Sequence, residues 1–99
     1  MTLDAAVNNY LAQITRIRPW TAQREQQQLI AFSGWLATQP VRPTLDAVSP
    51  IFAASYARDQ RLNSDERDEL VMVLHNLCLW AHCQGLIVHN PFSLVTLVN

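Results

Sequence analysis

The sequence predicts an all-α domain of four helices, on three observations. Apolar residues make up 49% of the 99 positions while glycine occurs only twice, a balance that suits packed helices better than loops. Within four separate segments, apolar residues recur three and four apart. The segments are punctuated by residues that start or stop helices, namely Thr2, Pro19, Ser49-Pro50, Asn63 and Gly85.

The first helix is expected from Leu3 to Ile17, with Leu3, Val7, Tyr10, Leu11 and Ile14 on one face and Thr2 as its cap. Pro19 closes it. The second is expected from Thr21 to about Thr38, where Ala22, Leu29, Phe32 and Leu36 form the inner stripe and Trp35 its edge. Glu25 falls on that stripe and is its odd member. Pro40 and Pro43 mark a connection, since each lacks an amide donor and disfavours helix just before it. Ser49 followed by Pro50 pairs a cap with a proline at the first helical position. That predicts a third helix to about Arg58, burying Ile51 and some of Phe52, Ala54, Ser55 and Tyr56.

The fourth helix is expected over about residues 64–84. Asn63 and Glu66 have capping-box spacing, and Asp65, Glu66, Asp68 and Glu69 gather at the positive end of the helix dipole. Its inner face is Leu70, Val73, Leu74, Leu77, Trp80 and Ala81, widened by Val71 and Cys78. The less apolar stripe is Asp68, Met72, His75, Leu79 and His82. A helix this apolar is expected to be the central one. Gly85 stops it, and the chain runs through Leu86-Ile87-Val88-His89 to Asn90-Pro91. The tail from Phe92 to Asn99 is apolar without turn chemistry, so a further segment is expected to follow it.

The formal charge is −1, which removes any strong overall pull toward nucleic acid or anionic lipid. All basic residues are arginine, and all but Arg67 precede the last helix. Residues 1–61 carry a net +2 and residues 62–99 a net −3. No apolar run approaches the roughly 20 residues that a bilayer span needs, and no signal pattern opens the chain. A cytoplasmic location without membrane contact is therefore expected. Cys78 and Cys83 lie about 140° apart around one helix and cannot bridge within it.

In order and spacing, these residues resemble the N-terminal core-binding domain of tyrosine recombinases, the phage integrase and Xer-type family. Leu3, Tyr10 and Leu11 fit its first helix. Thr21, Leu29, Phe32, Trp35 and Leu36 fit a threonine opening a helix that closes in Phe-x-x-Trp-Leu. Leu45, Val48, Ser49, Ile51 and Tyr56 fit the segment leading into and along the third helix. Leu70, Leu74, Leu77, Trp80, Gly85, Leu86, Ile87, Asn90 and Pro91 fit the Trp, Gly-hydrophobic-Ile and Asn-Pro signature. The resemblance spans nearly the whole chain.

It implies a SAM-like, orthogonal-type four-helix bundle over residues 1–91, with 92–99 opening a linker to a catalytic domain not included in this chain. In such recombinases the small helical domain clamps duplex DNA. Strand cleavage by a tyrosine belongs to the C-terminal domain. This chain alone is therefore expected not to be an enzyme, and Tyr10 and Tyr56 sit at core positions instead. The implied partners are duplex DNA, other recombinase protomers in a synaptic complex, and the protein's own catalytic domain. No cofactor or metal is implied.

The resemblance also implies that DNA meets the starts of the second and fourth helices. By position these offer Arg16, Arg18, Thr21 and Arg24, then Ser64, Arg67 and His75. Read from the residues alone, the first group is equally a threonine cap among solvated arginines. The fourth helix departs from the family's pattern, having Glu66, Asp68 and Glu69 where relatives carry Thr and Asn-Arg. Carboxylates oppose phosphate unless they accept from a cytosine amine or orient an arginine. Their dipole-stabilising role is the simpler reading. A rival follows: a helical protein–protein module, for synapsis contacts or as a recombinase remnant, with little DNA affinity. His75 and His82 lie about 10 Å apart along the helix, so with Cys78 and Cys83 they read as surface histidines and core cysteine, not as a metal set. Trp20, Trp35 and Trp80 read as core or interface residues.

Overall fold

The computed structural model describes residues 2–92 and contains four α-helices: α1 Leu3–Ile17, α2 Pro19–Leu36, α3 Pro50–Asp59 and α4 Ser64–Cys83. A 3₁₀ turn, Leu45–Ala47, lies between α2 and α3. Among the described residues the only β-type pairing is an antiparallel bridge of Thr2 with Thr44, and Leu3 N–H donates to the Pro43 carbonyl at 2.9 Å. This pins the proline-rich connection against the start of α1.

The helix starts follow the local chemistry. Thr2 Oγ1 accepts from Ala5 N–H at 3.2 Å, and Ser49 Oγ from Phe52 N–H at 3.4 Å. Asn63 and Glu66 form the reciprocal capping box, at 2.8 and 3.0 Å. The expectation for α2 needs correction. It opens at Pro19, two residues before Thr21, and ends at Leu36, two before Thr38. Pro19 begins this helix as well as closing α1, because its fixed φ and missing N–H both suit the first helical position. Arg18 is the cap residue and makes no side-chain cap bond.

α3 and α4 end in the same motif. At α4, Leu86 N–H donates to the Ala81 carbonyl at 2.9 Å and Gly85 N–H to the His82 carbonyl at 3.0 Å, with Gly85 at φ 75°. At α3, Leu62 N–H donates to the Ala57 carbonyl and Arg61 N–H to the Arg58 carbonyl, with Arg61 at φ 55°. A left-handed residue after the last turn is what this cap requires. Glycine meets it without strain; Arg61 does not.

α2 and α4 each touch the other three helices, so α2 shares the central place expected of α4, and α1 and α2 share the largest face. Leu70, Val73, Leu74, Leu77, Cys78 and Ala81 of α4 are buried against Leu3, Val7, Tyr10 and Ile14 of α1 and Leu29, Phe32 and Leu36 of α2, all within one core cluster. Each buried Leu contributes about 2 kcal/mol by area. Truncating the fully buried Leu74 to Ala would cost about 2–5 kcal/mol. Phe32, Trp35, Phe52 and Tyr56 form an aromatic cluster between α2 and α3 with centroids 5.4–6.3 Å apart, edge-to-face except for the tilted Phe32–Trp35 pair. Trp35 Nε1 donates to Asp59 Oδ2 at 3.0 Å at its rim.

Three placements differ from the sequence expectation. Ile51 is 77% exposed; α3 buries Tyr56, as expected, together with Ala53 and Ala57. Ile51 is two residues from Ala53, about 160° away around the helix. Trp20 stands at the α1–α2 corner, 77% exposed, so of the core and interface roles expected for it the core one is excluded. Phe92 is fully buried, so the core takes in a residue assigned to the linker. Residues 93–99 of that linker lie outside the described residues.

Candidate nucleic-acid interface

Glu25, the polar residue on the apolar stripe of α2, is only 5% exposed. Helical spacing turns it inward, and a buried carboxylate needs donors. Tyr10 Oη donates to Glu25 Oε1 at 2.6 Å, and Thr21 Oγ1 lies 3.0 Å from Oε2. Arg18 Nη2 lies 3.6 Å from Oε1 and donates to Tyr10 Oη at 3.3 Å. Burial first, and the Glu25 carboxylate second, push the Tyr10 phenol far above its ordinary range. Arg18 and Thr21, two of the residues expected at DNA, are thus occupied in a polar network between α1 and α2.

Arg24 points the other way. It is exposed and reaches across to α4, where Nε and Nη2 meet Glu69 Oε1 and Oε2, the second contact at 2.9 Å. The pair joins the second turn of α2 to the second turn of α4, so both helix starts lie at one end of the bundle. Beneath it runs a groove of about 260 Å³, whose walls include Gln27, Gln28, Tyr56, Leu62 and Glu66.

Of the other expected contacts, only Ser64, at the start of α4, stays at this end. Arg16 is exposed in the last turn of α1, and Ser64 is exposed as the first residue of α4. Arg67 lies about 160° around α4 from Glu69, on the α3 side, where it borders an apolar groove of about 170 Å³ with Ala54, Ala57, Val71 and Phe92. His75 is half-buried, and its Nδ1 lies 3.1 Å from Asn90 Nδ2. Asn90, itself buried, also donates to the His75 carbonyl at 3.2 Å and accepts from Phe92 N–H at 3.0 Å. His75 therefore holds the Asn-Pro segment against α4.

The structure thus brings together Arg18, Thr21 and Arg24 near the start of α2 and sets Arg24 beside α4. It does not bring Arg16, Arg67 and His75 onto that surface. Reading the sequence alone overlooked Gln27 and Gln28 as groove residues and Asn90 as a polar clasp. For the glutamines the available signal was their spacing from Arg24, three and four residues on, which places them on its side of α2. Cys78 is buried and Cys83 exposed, both as free thiols, and among the described residues no group of three His, Cys, Asp or Glu is placed to hold a metal. No described helix is long and apolar enough to cross a membrane.

Comparisons with protein-family models, with curated proteins and with solved structures found no match to this chain.

Proposed function

We propose that this chain is a DNA-binding domain of the core-binding type, a SAM-like bundle that holds duplex DNA in the cytoplasm for a recombinase's catalytic half. The observation that carries this reading is the pairing of the α2 and α4 starts at one end of the bundle, joined by Arg24 and Glu69. Two positive dipole ends converge there, and helix starts are suited to phosphate oxygens. The recombinase-type order of residues, from Phe32, Trp35 and Leu36 to Trp80, Gly85 and Asn90-Pro91, supports the same assignment.

Binding is weak in this reading, because Arg18 is held by Glu25 and the net charge is slightly negative. If this end of the bundle makes about two phosphate contacts, affinity falls roughly tenfold between 50 and 200 mM salt. Fluorescence anisotropy with a labelled duplex measures this directly. Arg18→Ala combined with Arg24→Ala, which removes both arginines near the start of α2, should weaken binding. Absence of binding at 20 mM salt, or an unchanged affinity in the double variant, would refute the reading.

The second reading is a protein–protein module for synaptic contacts, favoured by the exposed pair Ile17 and Trp20 at the α1–α2 corner. Sedimentation velocity of the wild type and of Trp20→Ser, with no DNA present, tests it. Self-association that Trp20→Ser abolishes would favour the module.

A further inference from the structure

Arginine has five N–H donors in a fixed plane, and the way a carboxylate takes two of them decides what remains. Glu69 engages Arg24 from the side, through Nε and Nη2. Both Nη1 hydrogens and one Nη2 hydrogen then remain, making up the end-on fork of the guanidinium. Nη1 makes no hydrogen bond to any described residue. With Arg24's side chain 72% exposed, that fork is open to solvent.

We infer that Arg24 and Glu69 act as one unit that reads the major-groove edge of a G·C base pair. The inference rests on the DNA-binding reading and assigns to that surface a base-contacting role. An end-on guanidinium fork matches guanine O6 and N7, and the neighbouring cytosine N4 amine is a donor that a carboxylate accepts. Phosphate is the poorer partner for this unit. The pair is electrically neutral as a whole, and Glu69 repels an anion brought close to the fork. A neutral base edge meets no such opposition. Glu69 also holds the long Arg24 side chain in place before binding, which removes rotamer freedom that contact would otherwise have to freeze. Gln27 and Gln28, one turn further along α2, border the same groove and are placed to reach neighbouring base edges or the flanking backbone.

Glu69 in this account is a positioning residue, and its acidity serves the arginine. That separates the inference from the simpler idea that Glu69 merely competes with DNA for Arg24. The probes are three 20-bp duplexes: alternating G·C, alternating A·T, and the G·C duplex with 7-deazaguanine replacing guanine. Anisotropy at 20 mM salt gives the affinities, and circular dichroism melting confirms that each variant folds. The wild type should prefer the G·C duplex over A·T by roughly tenfold, and 7-deazaguanine should remove most of that preference. Glu69→Gln and Arg24→Lys should each reduce the preference to less than about threefold while leaving binding to A·T nearly unchanged. Two results overturn the inference but leave the DNA-binding reading intact: Glu69→Gln tightens binding to all three duplexes alike, or 7-deazaguanine has no effect. If the wild type binds none of the duplexes, both fail together.

Discussion

Replacing Tyr10 by Phe deletes one oxygen from the core and leaves the ring where it packs, edge-on to Trp80 at 5.8 Å. The deleted hydroxyl is the closest donor to Glu25, at 2.6 Å. Thr21 at 3.0 Å and Arg18 at 3.6 Å remain, and neither can move into the vacated position without leaving its own. A hydrogen bond to a charged group contributes about 1.5–3 kcal/mol, and a buried carboxylate that loses one keeps its desolvation cost. The expected loss is about 2 kcal/mol. For a domain of this size that lowers the urea midpoint by roughly 1.5 M, at an unchanged slope. Adding Glu25→Leu to Tyr10→Phe removes both sides of the contact. The double variant should be more stable than the sum of the two single changes, with a coupling of about 1–2 kcal/mol. A Tyr10→Phe stability within about 0.5 kcal/mol of wild type would refute the view that Glu25 depends on this hydroxyl.

The same groups set an alkaline limit. Burial raises the folded-state pKa of Tyr10 and of Tyr56 above the ordinary 10.0, so above pH 10 the unfolded chain loses phenolic protons that the folded chain keeps. Stability is therefore full below pH 10 and falls as pH rises above it, and Tyr10→Phe should make the fall shallower in denaturant titrations at pH 9 to 11. Thiol labelling should distinguish the cysteines. Exposed Cys83 reacts in the native state, whereas Cys78, pushed up to about 12 by burial, reacts only on unfolding; two fast thiols would contradict the packing of α4. Arg61→Gly should raise stability by about 1 kcal/mol by relieving the left-handed backbone, and Gly85→Ala should lower it by about as much, both read from thermal melts.

Legibility in the sequence follows the reach of each interaction. Thr2, Ser49 and the Asn63–Glu66 box act within three residues, so their positions could be read directly. Gly85 ends α4 for an equally local reason. The start of α2 was misplaced because Pro19 satisfies two local roles at once, stop and start, and Thr21 imitates a cap while bonding toward Glu25. Glu25 stood out by its place on an apolar stripe, but its donors come partly from α1, which periodicity does not show. Arg24 and Glu69 are 45 residues apart in sequence, and nothing local announces that they meet. Ile51 was expected inside because it is apolar; the orientation of α3 was fixed by Ala53, Tyr56 and Ala57, whose small and flat side chains fit against α2 and α4.

The Asn90 clasp gives the domain a mechanical property. Its grip on His75 lies eight residues, about 12 Å, back from the last residue of α4. Tension applied beyond Phe92 meets first its buried ring and then the Asn90 clasp, which hands it to α4 near the middle of the helix. Without the clasp, the same tension would peel the last turn open at Gly85, one bond at a time. Whatever is tethered at this end pulls on the centre of the bundle, so its motion is coupled to the whole domain and not to a fraying terminus.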